Sequence, residues 1–252
     1  MDSLINFRDL GGLETRDGKR LKHKRLLRSA APRNLSDDAR KALLEEYGLK
    51  QIIDFRSTKE TLEEPNDDFD GVSTFAFNIM KDAEHNWTSL EEMFRNLDND
   101  RADEILTDIN RQFILMQSAQ EGYRAFFQAC LAADEGATLF HCAVGKDRTG
   151  FGAALLLKAL NVPDEVIYED YLKTVAQRAE ANRQVVEAAR AQGLGETQLE
   201  AMATFLSVKQ QYLEAAFAAI DEHYGTFDSY LQRGLGISQE DVERLKNLYL
   251  ED

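Results

Sequence analysis

Ala137-Thr138-Leu139-Phe140-His141-Cys142-Ala143-Val144-Gly145-Lys146-Asp147-Arg148-Thr149-Gly150 decides the reading of this chain. Ala137–His141 is a short apolar run of strand type, and Thr149 to Leu160 is an almost wholly apolar run of helix length. A helix N-terminus presents free backbone N–H groups and positive dipole potential. A loop bent round that end can aim the N–H groups of Ala143, Val144, Gly145, Lys146, Asp147 and Arg148 at a dianion. Gly145 allows a positive φ and close approach of the backbone. Arg148 can grip two oxygens of a phosphate. Cys142 stands in the middle of this positive field, which favours the nucleophilic thiolate. Thr149 is placed to donate a hydrogen bond to the Cys142 sulfur as it leaves. A buried cysteine before a tight turn is the plainer reading. It does not account for Cys-x5-Arg-Thr-Gly set between a strand and a helix.

Outward from this loop the chain is mixed α/β. Strand patterns run over Lys24 to Ala30, Lys50 to Arg56 and Val72 to Ile79. Ser36 reads as a helix N-cap, with Gly48 closing that helix after Tyr47. Residues 87–117 carry Leu90, Met93, Phe94, Leu97, Ile105, Ile109 and Phe113 at roughly helical spacing. Helices are also expected over Tyr123 to Ala133, over Pro163 to Ala191 with a break, over Thr197 to Tyr212, over Leu213 to Tyr224, and after Ser238. No repeat, low-complexity tract or linker divides the 252 residues, so a single domain over 1–252 is expected.

The net charge of −15 disfavours broad binding to nucleic acid or to an anionic membrane. A small anionic substrate needs only local positive charge. That charge is uneven: Arg16, Lys19, Arg20, Lys22, Lys24, Arg25 and Arg28 stand against Asp17 alone. The tract reads either as a solvated turn and strand edge or as one wall of an anion-binding cleft. No run approaches the ~20 apolar residues of a membrane helix, and the first residues lack the pattern of a signal peptide. Two cysteines, Cys130 and Cys142, make neither a disulfide framework nor a structural zinc site, and they fit a reducing compartment. Core burial of Cys130 is expected over a reversible disulfide with Cys142. A cytoplasmic location is expected, with secretion as an effector lacking a classical signal peptide left open.

His141–Gly150 resembles the phosphate-binding loop of cysteine-based protein tyrosine phosphatases. Its inner sequence resembles more narrowly a bacterial and fungal tyrosine-phosphatase family whose loop reads HCxxGKDRTG. Asn6-Phe7-Arg8-Asp9-Leu10-Gly11-Gly12, Arg28-Ser29-Ala30, Asp54-Phe55-Arg56-Ser57 and Tyr171-Leu172-Lys173-Thr174 resemble further blocks of that family, in its order. The resemblance implies the phosphatase fold, a small central sheet flanked by many helices. Over 87–117 it suggests a mobile helical lid or insertion, with a plain helical layer as the other reading.

The same resemblance assigns roles. Cys142 is the nucleophile and Arg148 the phosphate clamp, while Ala143, Val144, Gly145, Lys146 and Thr149 bind substrate. His141 orients the loop or supports the thiolate through a hydrogen bond. Many tyrosine phosphatases carry their general acid on a Trp-Pro-Asp loop, but Thr88 follows the single tryptophan, Trp87, here. Asp147, beside the phosphate, is therefore the first candidate acid. Asp54 is the second, with a structural partnership to Arg8, Arg28 or Arg56 as its other reading. No metal or other cofactor is expected. The implied activity is cysteine-dependent hydrolysis of phosphotyrosyl proteins through a cysteinyl-phosphate intermediate. Lys146 also occurs in phosphoinositide phosphatases with Cys-x-x-Gly-Lys-x-Arg loops, so a phosphoinositide or dual-specificity enzyme is the alternative. A catalytically weak phosphate-binding regulator belongs to another class, and the intact Cys142, Arg148 and Thr149 argue against it.

Overall fold

The computed structural model describes residue 1, residues 3–83 and residues 98–252. Its main sheet contains β1 (Arg8–Asp9), β3 (Leu26–Ser29), β4 (Leu49–Asp54), β5 (Ser73–Ala76) and β6 (Ala137–His141). The strand order is β1-β3-β6-β4-β5. β1 runs antiparallel to β3, and the other four strands are mutually parallel. A second small sheet pairs β2 (Arg20–Leu21) with β7 (Leu250–Glu251), tying the two ends of the chain together.

The apolar runs of the sequence follow from a sheet covered on both faces. Leu26, Ile53 and Phe140 enter the larger core, and Leu27, Ile52 and Leu139 enter the smaller core on the opposite side. The β4–β6 register shifts between Leu49 and Gln51. That extra residue lets Leu49 and Ile52 share the smaller core although they are three positions apart.

Nine α-helices of five residues or more pack around the sheet among the described residues. In chain order they are α1 (Asp37–Lys41), α2 (Thr58–Glu63), α3 (Asn99–Leu115), α4 (Gln117–Ala132), α5 (Asp147–Ala159), α6 (Asp164–Ala191), α7 (Glu196–Leu206), α8 (Gln210–Tyr224) and α9 (Gln239–Tyr249). α1 continues as a π-turn over Ala42–Glu46. α5 is buried almost all round, as its unbroken apolar sequence requires. Phe113 of α3 stacks on Phe151 of α5 at 5.7 Å, and Tyr123 of α4 meets Phe151 edge-on at 5.2 Å. None of the helices among the described residues is long and apolar enough to cross a membrane.

Two boundaries differ from the sequence reading. α6 runs unbroken over 28 residues. The break expected within it is absent. The division expected between Tyr212 and Leu213 falls instead at Ser207–Lys209, where the backbone turns extended. Tyr212 is buried, and its hydroxyl donates to Asp103 of α3, which holds it inside α8. In the 87–117 segment, α3 packs along α7 and α8. Trp87 to Leu97 lie outside the described residues.

The parts are locked by a buried charge cluster. Arg8 Nε donates to Asp170 Oδ1 at 2.7 Å, and Arg28 donates to Asp170 Oδ2 at 2.6 Å. Arg8 also reaches Asn6 Oδ1 and Gln177 Oε1, both at 2.7 Å. Burial would raise the Asp170 carboxyl, but Arg28 and Arg8 outweigh it and hold it below the usual value. A carboxylate held down in this way stabilises the fold above its unfolded pKa near 3.8, and that stability is lost as pH falls below it. Asp170→Asn leaves two guanidiniums buried without a counter-charge. It should cost about 3–5 kcal/mol in urea unfolding at neutral pH. The variant should also lose part of the wild-type decline in stability below about pH 4.

Candidate active site

The site forms where β3, β4 and β6 end at their carboxyl edges, the usual place for ligands in parallel sheets. β6 ends at His141, the loop from Cys142 to Lys146 follows, and α5 begins at Asp147. Arg28 and Ser29 close β3 on one side of β6, and Asp54 closes β4 on the other, each in register with the end of β6. The four sequence blocks outside the loop therefore converge on it.

The loop carbonyls are turned outward and each is occupied. Ala31 N–H donates to the Ala143 carbonyl at 3.2 Å. The Val144 carbonyl accepts from Asn6 Nδ2 at 3.3 Å and from Arg178 at 3.2 Å. The Gly145 carbonyl accepts from Asn6 Nδ2 at 2.8 Å and from Arg28 at 3.1 Å. The Lys146 carbonyl starts α5 by accepting from Gly150 N–H. With the carbonyls tied back, the N–H groups of the same peptides face the opposite side, where Cys142 sits 2% exposed. Gly145 has φ +69°, and a Cβ there would stand 2.4 Å from the Ser29 carbonyl oxygen. Gly150 sits against the Tyr171 ring, where a Cβ would lie 2.7 Å from a ring carbon.

Arg148 projects from the first turn of α5 and is held by Glu60. Its two terminal nitrogens donate to the two Glu60 carboxylate oxygens, each at 2.8 Å. This end-on pairing leaves the Nε edge of the guanidinium for an anion. Tyr123 OH fixes the same residue by donating to the Arg148 carbonyl at 3.0 Å. Glu60 was not among the residues singled out from sequence. Its signal is the capping box at the start of α2, where Ser57 and Glu60 cap each other. Burial would raise the Glu60 carboxyl, but Arg148 holds it down to about 2.

His141 is fully buried, and its bond goes to backbone rather than to sulfur. Nδ1 lies 3.1 Å from the Cys142 carbonyl and so carries the proton, while Nε2 accepts from Asn66 Nδ2 at 3.0 Å. Burial lowers its pKa to about 4, against the pull of Asp54. The neutral ring thus orients the first loop peptide. Asp54, the second candidate acid, is paired within β4 and with its neighbours. Arg56 donates to it from the backbone at 2.9 Å and from the guanidinium at 2.7 Å, and Asn66 lies at 3.3 Å. Burial would raise the Asp54 carboxyl, and His141 and Arg56 together hold it low. Arg56 also reaches the Glu64 carbonyl and Asn66 Oδ1, so it braces the β4 end below the loop.

Lys146, expected to bind substrate, has partners of its own at the end of α7. Its ammonium donates to the carbonyls of Phe205 and, at 3.0 Å, Ser207, and it lies 5.3 Å from the Phe205 ring centroid. It caps the carboxyl end of α7, where a cation meets the negative end of the helix dipole. Asp147 Oδ2 is 3.4 Å from Lys146, and Asp147 Oδ1 is buried without a partner. Thr149 Oγ1 is likewise buried and free, and makes no bond to the Cys142 sulfur. In the basic tract, Arg16, Lys19, Arg20 and Lys24 face acidic side chains on the surface, and only Arg28 reaches the site. Cys130 is buried, and burial pushes its thiol up to about 12, which makes it a core residue.

A family model described as the tyrosine phosphatase family matches residues 1–251. A Cupriavidus necator protein named a tyrosine-protein phosphatase is 33% identical over 251 residues, covering 99% of this chain and 87% of the relative. The triple specificity protein phosphatase of Mycobacterium tuberculosis is 31% identical over 274 residues, covering 97% of this chain and 96% of its own. A tyrosine-protein phosphatase of Nostoc commune is 30% identical over 51% of this chain and 44% of its own.

Glu60→Gln keeps the shape of the Arg148 partner and removes its charge. It should weaken binding of inorganic phosphate about tenfold, because losing the clamp that aims Arg148 outweighs the charge returned to the guanidinium. Titration calorimetry reads this directly, and unchanged phosphate affinity would show that Arg148 needs no such support. His141 should give a separate signature. A histidine lowered from 6.5 to about 4 stabilises the fold above pH 6.5, and that stability is lost between about 6.5 and 4 as pH falls. His141→Asn should flatten that part of the urea-stability curve.

Proposed function

The chain belongs to the tyrosine phosphatase family, and we propose that Cys142 performs metal-independent hydrolysis of phosphotyrosyl proteins within one domain over 1–252. The observation that carries the reading is the loop itself. Its carbonyls all have partners and Glu60 takes only the two terminal nitrogens of Arg148, which supports a cradle of N–H groups and the Arg148 Nε edge for an anion at Cys142.

The Cys142 thiolate attacks phosphorus. An S–P bond forms as the P–O bond to the substrate breaks, and the leaving oxygen takes a proton from Asp147. Loop N–H groups and Arg148 hold the three equatorial oxygens, where charge gathers in the transition state. Asp147 then removes a proton from water, which attacks the cysteinyl phosphate. The S–P bond breaks, phosphate leaves, and the thiolate returns. The free Thr149 hydroxyl is placed in the first turn of α5 to donate to the departing sulfur. Two unpaired cysteines support a reducing, cytoplasmic setting for this chemistry.

The test is phosphate release from a phosphotyrosyl peptide, a phosphoseryl/threonyl peptide and short-chain phosphoinositides, with chelator present. Cys142→Ser should abolish turnover. Asp147→Asn should lower kcat by about a hundredfold or more and remove the basic limb of the pH–rate profile. The phosphotyrosyl peptide should rank first, because Lys146 is engaged at α7. Full activity of Asp147→Asn would reject that residue as the acid. Absence of Cys142-dependent turnover on all three substrates would overturn the enzymatic reading.

A further inference from the structure

Five cationic side chains are buried among the described residues: Arg8, Arg28, Arg56, Lys146 and Arg178. Arg8 and Arg28 share Asp170, Arg56 has Asp54, and Lys146 has Asp147. Arg178 has no carboxylate within ion-pair distance among the described residues. It projects from the middle of α6 and is 5% exposed. One terminal nitrogen donates to the Val144 carbonyl at 3.2 Å, and its Nε is buried with no partner.

A buried cation without a counter-ion is costly, because water is lost and nothing charged replaces it. One neutral carbonyl does not balance a guanidinium. The position is also specific. Val144 is the second residue after the nucleophile, and the carbonyl that Arg178 holds belongs to a peptide that frames the cradle. Burial lowers the Arg178 pKa, against the pull of Cys142 and Asp147. Asp147 is already the partner of Lys146.

We propose that Arg178 is a positioning residue for phosphate: from behind the loop, through the Val144 peptide it holds, it supplies the unshared positive charge that the substrate's phosphoryl dianion neutralises. The proposal rests on the phosphate-binding reading of the loop and adds to it a cation from α6, outside the Cys-x5-Arg sequence. Arg148 meets the anion with the charge of one guanidinium already shared with Glu60. Arg178 brings a charge that no side chain in the described structure shares. A dianion entering the loop thus meets more positive charge than the loop sequence alone provides. Ligand binding also relieves a cost that the ligand-free fold carries.

That last point separates a binding role from a structural one. The full-length chain is compared with Arg178→Met, Arg178→Gln and Arg178→Lys. Inorganic phosphate affinity is read by titration calorimetry, Tm by scanning calorimetry with and without phosphate, and kcat/KM on the phosphotyrosyl peptide. Arg178→Met should bind phosphate at least tenfold more weakly and lose a similar factor in kcat/KM. Its ligand-free Tm should hold or rise, while the phosphate-induced rise in Tm shrinks. Arg178→Gln, which keeps a donor but no charge, should behave likewise and decides the matter if the Met variant does not fold. Arg178→Lys should recover part of the affinity. Wild-type phosphate affinity in the Met or Gln variant overturns the proposal. So does a lowered ligand-free Tm in a variant whose phosphate affinity is unchanged, since Arg178 would then only tie α6 to the loop. If wild type shows no Cys142-dependent turnover, the enzymatic reading fails, yet the phosphate titrations still decide the role of Arg178.

Discussion

A loop that aims successive N–H groups at one point must find partners for the carbonyls on its other side. Left unpaired in a buried site, each would cost on the order of 1–3 kcal/mol, and the peptides would flip to find water. In this chain the partners come from far along the sequence. Ala31 and Asn6 belong to the N-terminal blocks, Arg28 ends β3, and Arg178 lies on α6. The Asp170 cluster then fixes those donors by binding Arg8 and Arg28 at once, while Arg8 orients Asn6. The anion cradle is thus a tertiary construction. Its local sequence supplies the shape, and residues 34 to 139 positions away hold that shape open.

This dependence explains why short blocks from residue 6 to residue 174 accompany the loop. Arg28-Ser29 provides a donor and a carbonyl that leaves no room for a Cβ at position 145. Tyr171 and Thr174 provide the ring against Gly150 and an acceptor for Arg8. Asp54-Phe55-Arg56-Ser57 braces His141 and begins the capping box that carries Glu60. Each block answers a packing or pairing need of the loop, and none is a separate site.

What the sequence made legible was local. The strand, loop and helix around Cys142 could be read because three short-range signals agree there: an apolar run of strand length, a glycine at the bend, and an apolar run of helix length. Most helices were legible for the same reason. Pairings across the fold were not. The capping box Ser57-x-x-Glu60 is visible in the sequence, but nothing in it says that the same carboxylate meets Arg148, 88 positions away. Lys146 was read as a phosphate ligand from its place in the loop. Its side chain is long enough to leave the loop, and the carbonyls at the end of α7 give it better partners than water. The dense positive tract from Arg16 to Arg28 read either as a solvated turn and strand edge or as a cleft wall. The chain between β1 and β3 spreads those charges over the surface, among acidic neighbours, as the first reading has it.

The electrostatics of the site follow from this redistribution. A cation serves an anion in proportion to the charge it has left after its own partners are counted. Lys146, adjacent to the cradle in sequence, is balanced by Asp147 and two helix carbonyls. Arg28 touches the loop but shares Asp170 with Arg8. Arg148 is positioned by Glu60, which fixes its direction and takes part of its charge. Arg178, distant in sequence and held by a single carbonyl, retains the most. The same count bears on Asp147. Its Oδ2 faces Lys146 while Oδ1 is buried and unpartnered, so one oxygen is steadied and the other stays available to carry a proton. Lys146 therefore steadies the carboxylate beside it while its ammonium stays on the carbonyls that end α7.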